Sequence, residues 1–103
     1  MIKRSITVTR KFDDPVKNAV EFVNMIEPFK AEITFQIQNG TYSGKSVISM
    51  MIQEFKNGKE FEFTCVGEEE EEAMKQIVKW FDPQSEDWER NYLLGNMLLD
   101  YII

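Results

Sequence analysis

The sequence predicts a two-layer α+β open-faced sandwich, in which a four-stranded antiparallel sheet has one face covered by three helices and a further helix follows at the C-terminal end. Three short stretches alternate apolar and polar residues, as strands buried on one face do, and a hairpin signal adds a fourth, brief strand. Three segments repeat apolar residues at helical spacing, and the order is strand, helix, hairpin, helix, strand, helix. With 103 residues the chain fills one core and not two.

Ser5 to Thr9 alternate, pointing Ile6 and Val8 inward. Asp13 and Asp14 then cap a helix whose first position is Pro15, where the missing N–H costs nothing. Val16, Ala19, Val20, Val23 and Ile26 form its apolar set, and it ends before Pro28. Ala31, Ile33, Phe35 and Ile37 alternate in the second strand, and Asn39-Gly40 is a hairpin signal leading to a brief strand over 41–43. A helix from Ser46 to about Phe55 stops near Asn57 and Gly58. Phe61, Phe63 and Cys65 are the inward residues of the fourth strand, which makes Cys65 a buried structural thiol rather than a nucleophile. The five glutamates 68–72 suit the first turn of a helix and a solvated face; Ala73, Met74, Ile77, Val78 and Phe81 are its apolar side.

The composition is 43% hydrophobic and 29% charged, that of an ordinary globular protein. A net charge of −6 argues against direct binding of nucleic acid or an anionic membrane, each of which needs a basic face. The single cysteine forms no internal disulfide and no metal cluster, and no metal or cofactor is expected. No signal peptide or run of 18 apolar residues is present, which predicts a cytoplasmic protein. Histidine is absent, so imidazole serves neither as base, metal ligand nor phosphate carrier.

The candidate site lies between Asn39 and Met51. Ser46 is placed to cap the second helix, next to Lys45 and ahead of an apolar group that includes Val47, Ile48 and Met51. Two readings stand side by side: a serine that only caps, and one that accepts a phosphate held at the helix start and read through the apolar residues. Gly-Lys-Ser is no phosphate loop, since that motif needs a glycine at position 39, which is asparagine.

From about residue 2 to 81 the chain resembles HPr, the histidine-containing phosphocarrier protein of the bacterial phosphotransferase system. The matching pieces are Ser-Ile-Thr-Val-Thr (5–9), Phe22-Val23, Glu32-Ile33-Thr34, Asn39-Gly40, Lys45-Ser46-Val47 and Gly67-Glu68. The resemblance implies the fold derived above. It also places Pro15 where the family has its phosphorylated histidine and Lys17 where it has an arginine, so the carrier function should be absent. Ser46 matches the serine phosphorylated in many Gram-positive bacteria by a dedicated kinase. Val47, Ile48 and Met51 match the patch then bound by a transcriptional regulator. The chain looks like the catabolite-repression HPr-like proteins, a branch of the family that lacks the histidine and keeps the serine.

Residues 1–82 are therefore expected to form the HPr-like domain and 83–103 a helical extension. In the extension, Leu93, Leu94, Met97, Leu98 and Tyr101 fall on one side of a helix, and Trp88, Tyr92, Leu99 and Ile103 roughly opposite. Two apolar sides call for burial between two surfaces, and a homodimer through Trp88 to Ile103 is expected ahead of docking in cis or shallow membrane insertion. Three functional classes stay open: a noncatalytic regulatory module read through Ser46, with a serine kinase and a regulator as partners; an unphosphorylated scaffold or oligomerisation module using the C-terminal helix; and, last, a small enzyme.

Overall fold

The computed structural model of the protein describes residues 1–38, 40–53 and 55–83. The expected C-terminal helix, its dimer surface from Trp88 to Ile103 and Asn39 of the hairpin signal lie outside the described residues.

The elements are β1 (Ile2–Thr7), α1 (Pro15–Ile26), β2 (Glu32–Ile37), β3 (Gly40–Ser43), α2 (Val47–Ile52), β4 (Glu60–Val66) and α3 (Glu70–Phe81). The strands form one antiparallel sheet in the order β1-β4-β2-β3, with the three helices on one face. β4 is flanked on both sides, which suits its run of Phe61, Phe63 and Cys65: Ile6 lies opposite Phe61, Phe35 opposite Phe63 and Ile33 opposite Cys65. All six are buried on the helix side. The other face presents Ser5, Thr34, Gln36, Glu60 and Glu62, so the open-faced sandwich is the observed fold.

The core is aromatic. Phe63 lies 5.4 Å from Phe35, 5.2 Å from Phe81 and 6.0 Å from Phe22 between ring centroids, within the range of tilted aromatic pairs. The sheet thus meets α1 through Phe22 and α3 through Phe81.

Several element limits and inward residues differ from the sequence pattern. β1 starts and ends earlier than expected; Val8 follows it but stays fully buried because its backbone bonds Lys59 O at 2.8 Å and Gly58 N at 2.7 Å. Ile37 pairs with Gly40, so the hairpin turn falls one residue earlier and Gly40 opens β3. Val16 and Val20 are 55% and 40% exposed, because Ala19, Phe22, Val23 and Ile26 form the buried stripe of α1 and leave both valines on its margin. α2 stops at Ile52 instead of Phe55: Gln53 turns extended (φ −87°, ψ 134°), and the chain drops Phe55 into the core, 4.7 Å from Phe61. α3 starts at Glu70, so that Glu70, Glu71 and Glu72 of the five glutamates lie in its first turn, and its buried side adds Trp80.

Gly67 fixes the entry to α3. Its φ is +148°, and a Cβ there would lie 2.6 Å from the carbonyl oxygen of Lys30, so both conformation and space demand glycine. Beside it, Glu69 bonds Lys30 twice, accepting its N–H on Oε1 at 2.9 Å and donating its own N–H to its carbonyl at 3.1 Å.

Candidate functional site

The start of α2 is held by its approach. Gly44 donates its N–H to Ile33 O at 2.8 Å, and a Cβ on Gly44 would come within 2.7 Å of the Ile33 side chain, so the loop lies directly against β2. Ser46 then takes an extended backbone, and its Oγ accepts the N–H of Ser49 at 3.2 Å while its carbonyl accepts that of Met50 at 3.0 Å. It is the N-cap that the sequence implies. Lys45 does not reinforce it: its ammonium donates to Phe29 O at 2.8 Å and Glu27 O at 3.5 Å, the carbonyls at the end of α1. The lysine joins two helices instead of supplying charge at the serine.

Behind Ser46, Met50 is the single buried residue of α2. Val47 and Met51 are half-buried and Ile48 is 68% exposed. The structure adds residues that the sequence reading placed elsewhere or passed over. Ile52 on α2 and Val16 and Val20 on α1 are also exposed, and the two helices pack side by side. Four branched apolar side chains on these neighbouring helices thus face water.

At the start of α1, Asp14 caps with its carboxylate, accepting Lys17 N–H at 3.1 Å, and its carbonyl accepts Asn18 N–H at 2.9 Å. Pro15 occupies the first turn, and both Pro15 and Lys17 are exposed. A groove of about 560 Å³ opens here, lined among others by Phe12, Pro15, Ala19, Met51, Phe55 and Trp80. It brings Pro15 together with Met51. Ser46, Val47 and Ile48 are not among its lining residues; they lie toward the other end of α2, a helix about 9 Å long at 1.5 Å per residue.

One wall of the groove is fixed by a cluster that no sequence pattern announces. Trp80 Nε1 donates to Glu21 Oε1 at 3.0 Å, Arg10 pairs with the same oxygen at 3.2 Å, and Arg10 Nη1 donates to Trp80 O at 3.3 Å. The guanidinium lies 4.8 Å from the Trp80 ring centroid and 5.7 Å from that of Phe12, a cation–π arrangement. The indole bond, followed by Arg10, holds the Glu21 carboxyl below the usual carboxylate range. These partners are 11 to 70 residues apart in sequence, beyond the reach of any local motif.

Nucleophiles are few. Cys65 is fully buried, and burial, with the charge of Glu70 added, pushes its thiol up to about 11, so it stays protonated at neutral pH. The chain has no imidazole, and the hydroxyl of Ser46 is half-buried at the start of α2, where it accepts the Ser49 N–H.

The family model for the PTS HPr component phosphorylation site matches residues 2–82. The Escherichia coli phosphocarrier protein NPr is 24% identical over 82 residues, covering 79% of this chain and 91% of its own. Among solved structures, the phosphocarrier protein HPr of Bacillus anthracis superposes with a TM-score of 0.72 at 22% identity, covering 79% of this chain and 96% of that one. The Bacillus subtilis catabolite repression protein Crh, an intertwined dimer with a swapped domain, gives 0.62 at 20% identity, covering 82% and 97%. At these identities the structures show the shared fold.

Proposed function

The chain belongs to the HPr family of the phosphotransferase system, and on that premise we propose that it is a regulatory member that carries no phosphoryl group at the start of α1 and is read through Ser46. Members of the family work as carriers that engage other proteins, not as enzymes. The observation that carries the reading is a pairing: the chain has no histidine, and Ser46 stands as a half-buried cap beside exposed apolar residues.

In this reading Pro15 takes the family's histidine position and Lys17 its arginine. Proline offers no nucleophile, and α1 keeps only its structural start. Ser46 is the acceptor of a serine kinase. Its phosphoryl oxygens replace the hydroxyl as acceptors of the Ser49 N–H, and two negative charges then stand next to Val47, Ile48 and Met51. A transcriptional regulator with an arginine beside an apolar pocket recognises that combination and not the unmodified surface. The setting is sugar uptake or carbon catabolite regulation in the cytoplasm; no helix among the described residues is long and apolar enough to cross a membrane.

The test is binding of the regulator to the Ser46-phosphorylated and unmodified chains, with Ile48→Lys as the patch variant. The reading expects binding of the phosphorylated form alone and its loss in Ile48→Lys. Equal binding of all three forms would remove both the serine and the patch from the function. The swapped dimer of Crh supports a second reading, an unphosphorylated oligomerisation module, for which sedimentation of the full chain as a dimer is the expected result.

A further inference from the structure

We propose that the groove between the start of α1 and the end of α2 is a binding site for a small organic anion, an aromatic carboxylate whose ring lies along the aromatic wall and whose charged end meets the lysines at the rim. The size of the hollow sets the scale. At about 560 Å³ it falls within the roughly 300–1,000 Å³ of small-molecule pockets, whereas a stable protein partner needs a face of about 800 Å². Its described lining residues include neither Ser46, Val47 nor Ile48, so the site stands apart from the function proposed above.

The aromatic side is formed before any guest arrives. Phe55 lies 4.7 Å from Phe61 and 5.1 Å from Phe81 between centroids, and Trp80 lies 4.9 Å from Phe81, so both rings are anchored in the core and neither folds into the hollow. Glu21 fixes the indole further through the 3.0 Å bond from Nε1. Phe12, half-buried, stands 5.0 Å from Trp80 and 6.3 Å from Phe55 and completes the ring-lined wall. Met50 and Met51 line the groove from α2, and thioether side chains both adapt to the shape of a guest and pack favourably against an aromatic one.

The charges around the rings select the sign of the guest. Arg10 already places its guanidinium 4.8 Å from the Trp80 centroid and 5.7 Å from that of Phe12, the place near a ring that a cationic guest would seek. Among the described lining residues the charged ones are Lys11, Lys56 and Asp13, two positive against one negative, on a chain whose overall balance is −6. Positive charge gathered at the mouth of an apolar hollow raises the local concentration of anions. The excess of one positive charge, two less one, fits a singly charged carboxylate better than a doubly charged phosphate ester, and ammonium groups hold a carboxylate through charge-assisted hydrogen bonds.

The probe is 2-naphthoate, titrated into the full-length, isotope-labelled chain, with the neutral 2-naphthamide and the cation 2-naphthylmethylammonium as ligands of the same apolar body. The carboxylate should give saturable shifts at the backbone amides of Asn18, Gln53 and Asn57, and none at Thr34 and Thr64 in the sheet; half-saturation is expected at about 1 mM or below for a ligand of this size. The neutral amide should bind about 5-fold more weakly, and the ammonium more weakly still. Lys11→Gln combined with Lys56→Gln, both at exposed positions, should weaken the carboxylate by about the same 5-fold and leave the affinity for the amide as it was. No saturable shift, or shifts centred outside the groove, would overturn the site. A carboxylate bound no more tightly than the amide or the ammonium, or one indifferent to the loss of both lysines, would overturn the assignment of its ligand.

Discussion

At the start of α1 the carboxylate of Asp14 accepts the N–H of Lys17 at 3.1 Å; at the start of α2 the hydroxyl of Ser46 accepts the N–H of Ser49 at 3.2 Å. The local chemistry is the same, but the packing behind it is not. α1 runs for 12 residues and buries Ala19, Phe22, Val23 and Ile26, whereas α2 runs for six and buries Met50 alone. One helix is a support of the core. The other is a short surface piece whose outward residues, Ile48 and Ile52, are free to meet a partner. A charge added at the second start would fall on the surface, away from the aromatic core.

The largest expected effects separate the two anchors. Phe22→Ala should cost about 3–5 kcal/mol, because the ring packs against Phe63, Phe81 and Trp80 and the surrounding elements cannot close the hole. Met50→Ala should fall near the lower end of about 2–5 kcal/mol, since a short surface helix can settle into the space. Urea unfolding of both variants measures the gap, and a costlier Met50→Ala would break the comparison.

Next come the caps. Asp14→Ala and Ser46→Ala should each cost about 0.5–2 kcal/mol, and Ser46→Asp should be tolerated because a carboxylate also caps. A neutral Ser46→Ala with a disruptive Ser46→Asp would mean that the hydroxyl does not cap α2.

Most of this arrangement was legible before the structure. Alternation revealed the strands because each buries one face, and Asp14-Pro15 and Ser46 revealed the helix starts because capping is local. The fold and element order follow from the same patterns, and the family from the resemblance of short pieces such as Lys45-Ser46-Val47 and Gly67-Glu68. What was not legible depends on tertiary packing. Phe55 read as the end of α2 because its spacing fits a helix, yet its burial in the core ends the helix three residues early. Val16 and Val20 read as core because apolar spacing cannot say which side of a broad stripe the sheet will cover. Lys45 stands next to Ser46 in the sequence, but the carbonyls of Glu27 and Phe29 hold its ammonium, partners 18 and 16 residues away. The groove and its Arg10–Glu21–Trp80 wall join three distant elements and leave no sequence signature.

Smaller effects sharpen the contrast at the groove wall. The folded state holds Glu21 below its usual carboxylate range, through the Trp80 indole and then Arg10, so it contributes stability above the unfolded carboxylate pKa that is lost as pH falls through the folded one. The effect is modest because the pair is half exposed and screened. Acid unfolding curves of the wild type and Glu21→Gln should diverge above that window and converge below it; parallel curves would show that the cluster is not coupled to folding. Ile48→Lys should change stability least, within about 0.5 kcal/mol, as expected for a surface position.

The most direct measurement offers the same protein two phosphoryl donors and locates the product by mass spectrometry. With ATP and an HPr-directed serine kinase, one phosphoryl group should appear, on Ser46, and none in Ser46→Ala. With phosphoenolpyruvate and the general phosphotransferase enzyme, none should appear anywhere, since Pro15 has no nucleophile and the chain has no histidine. Label transferred from phosphoenolpyruvate, or kinase labelling that leaves Ser46 unmodified, would contradict the account.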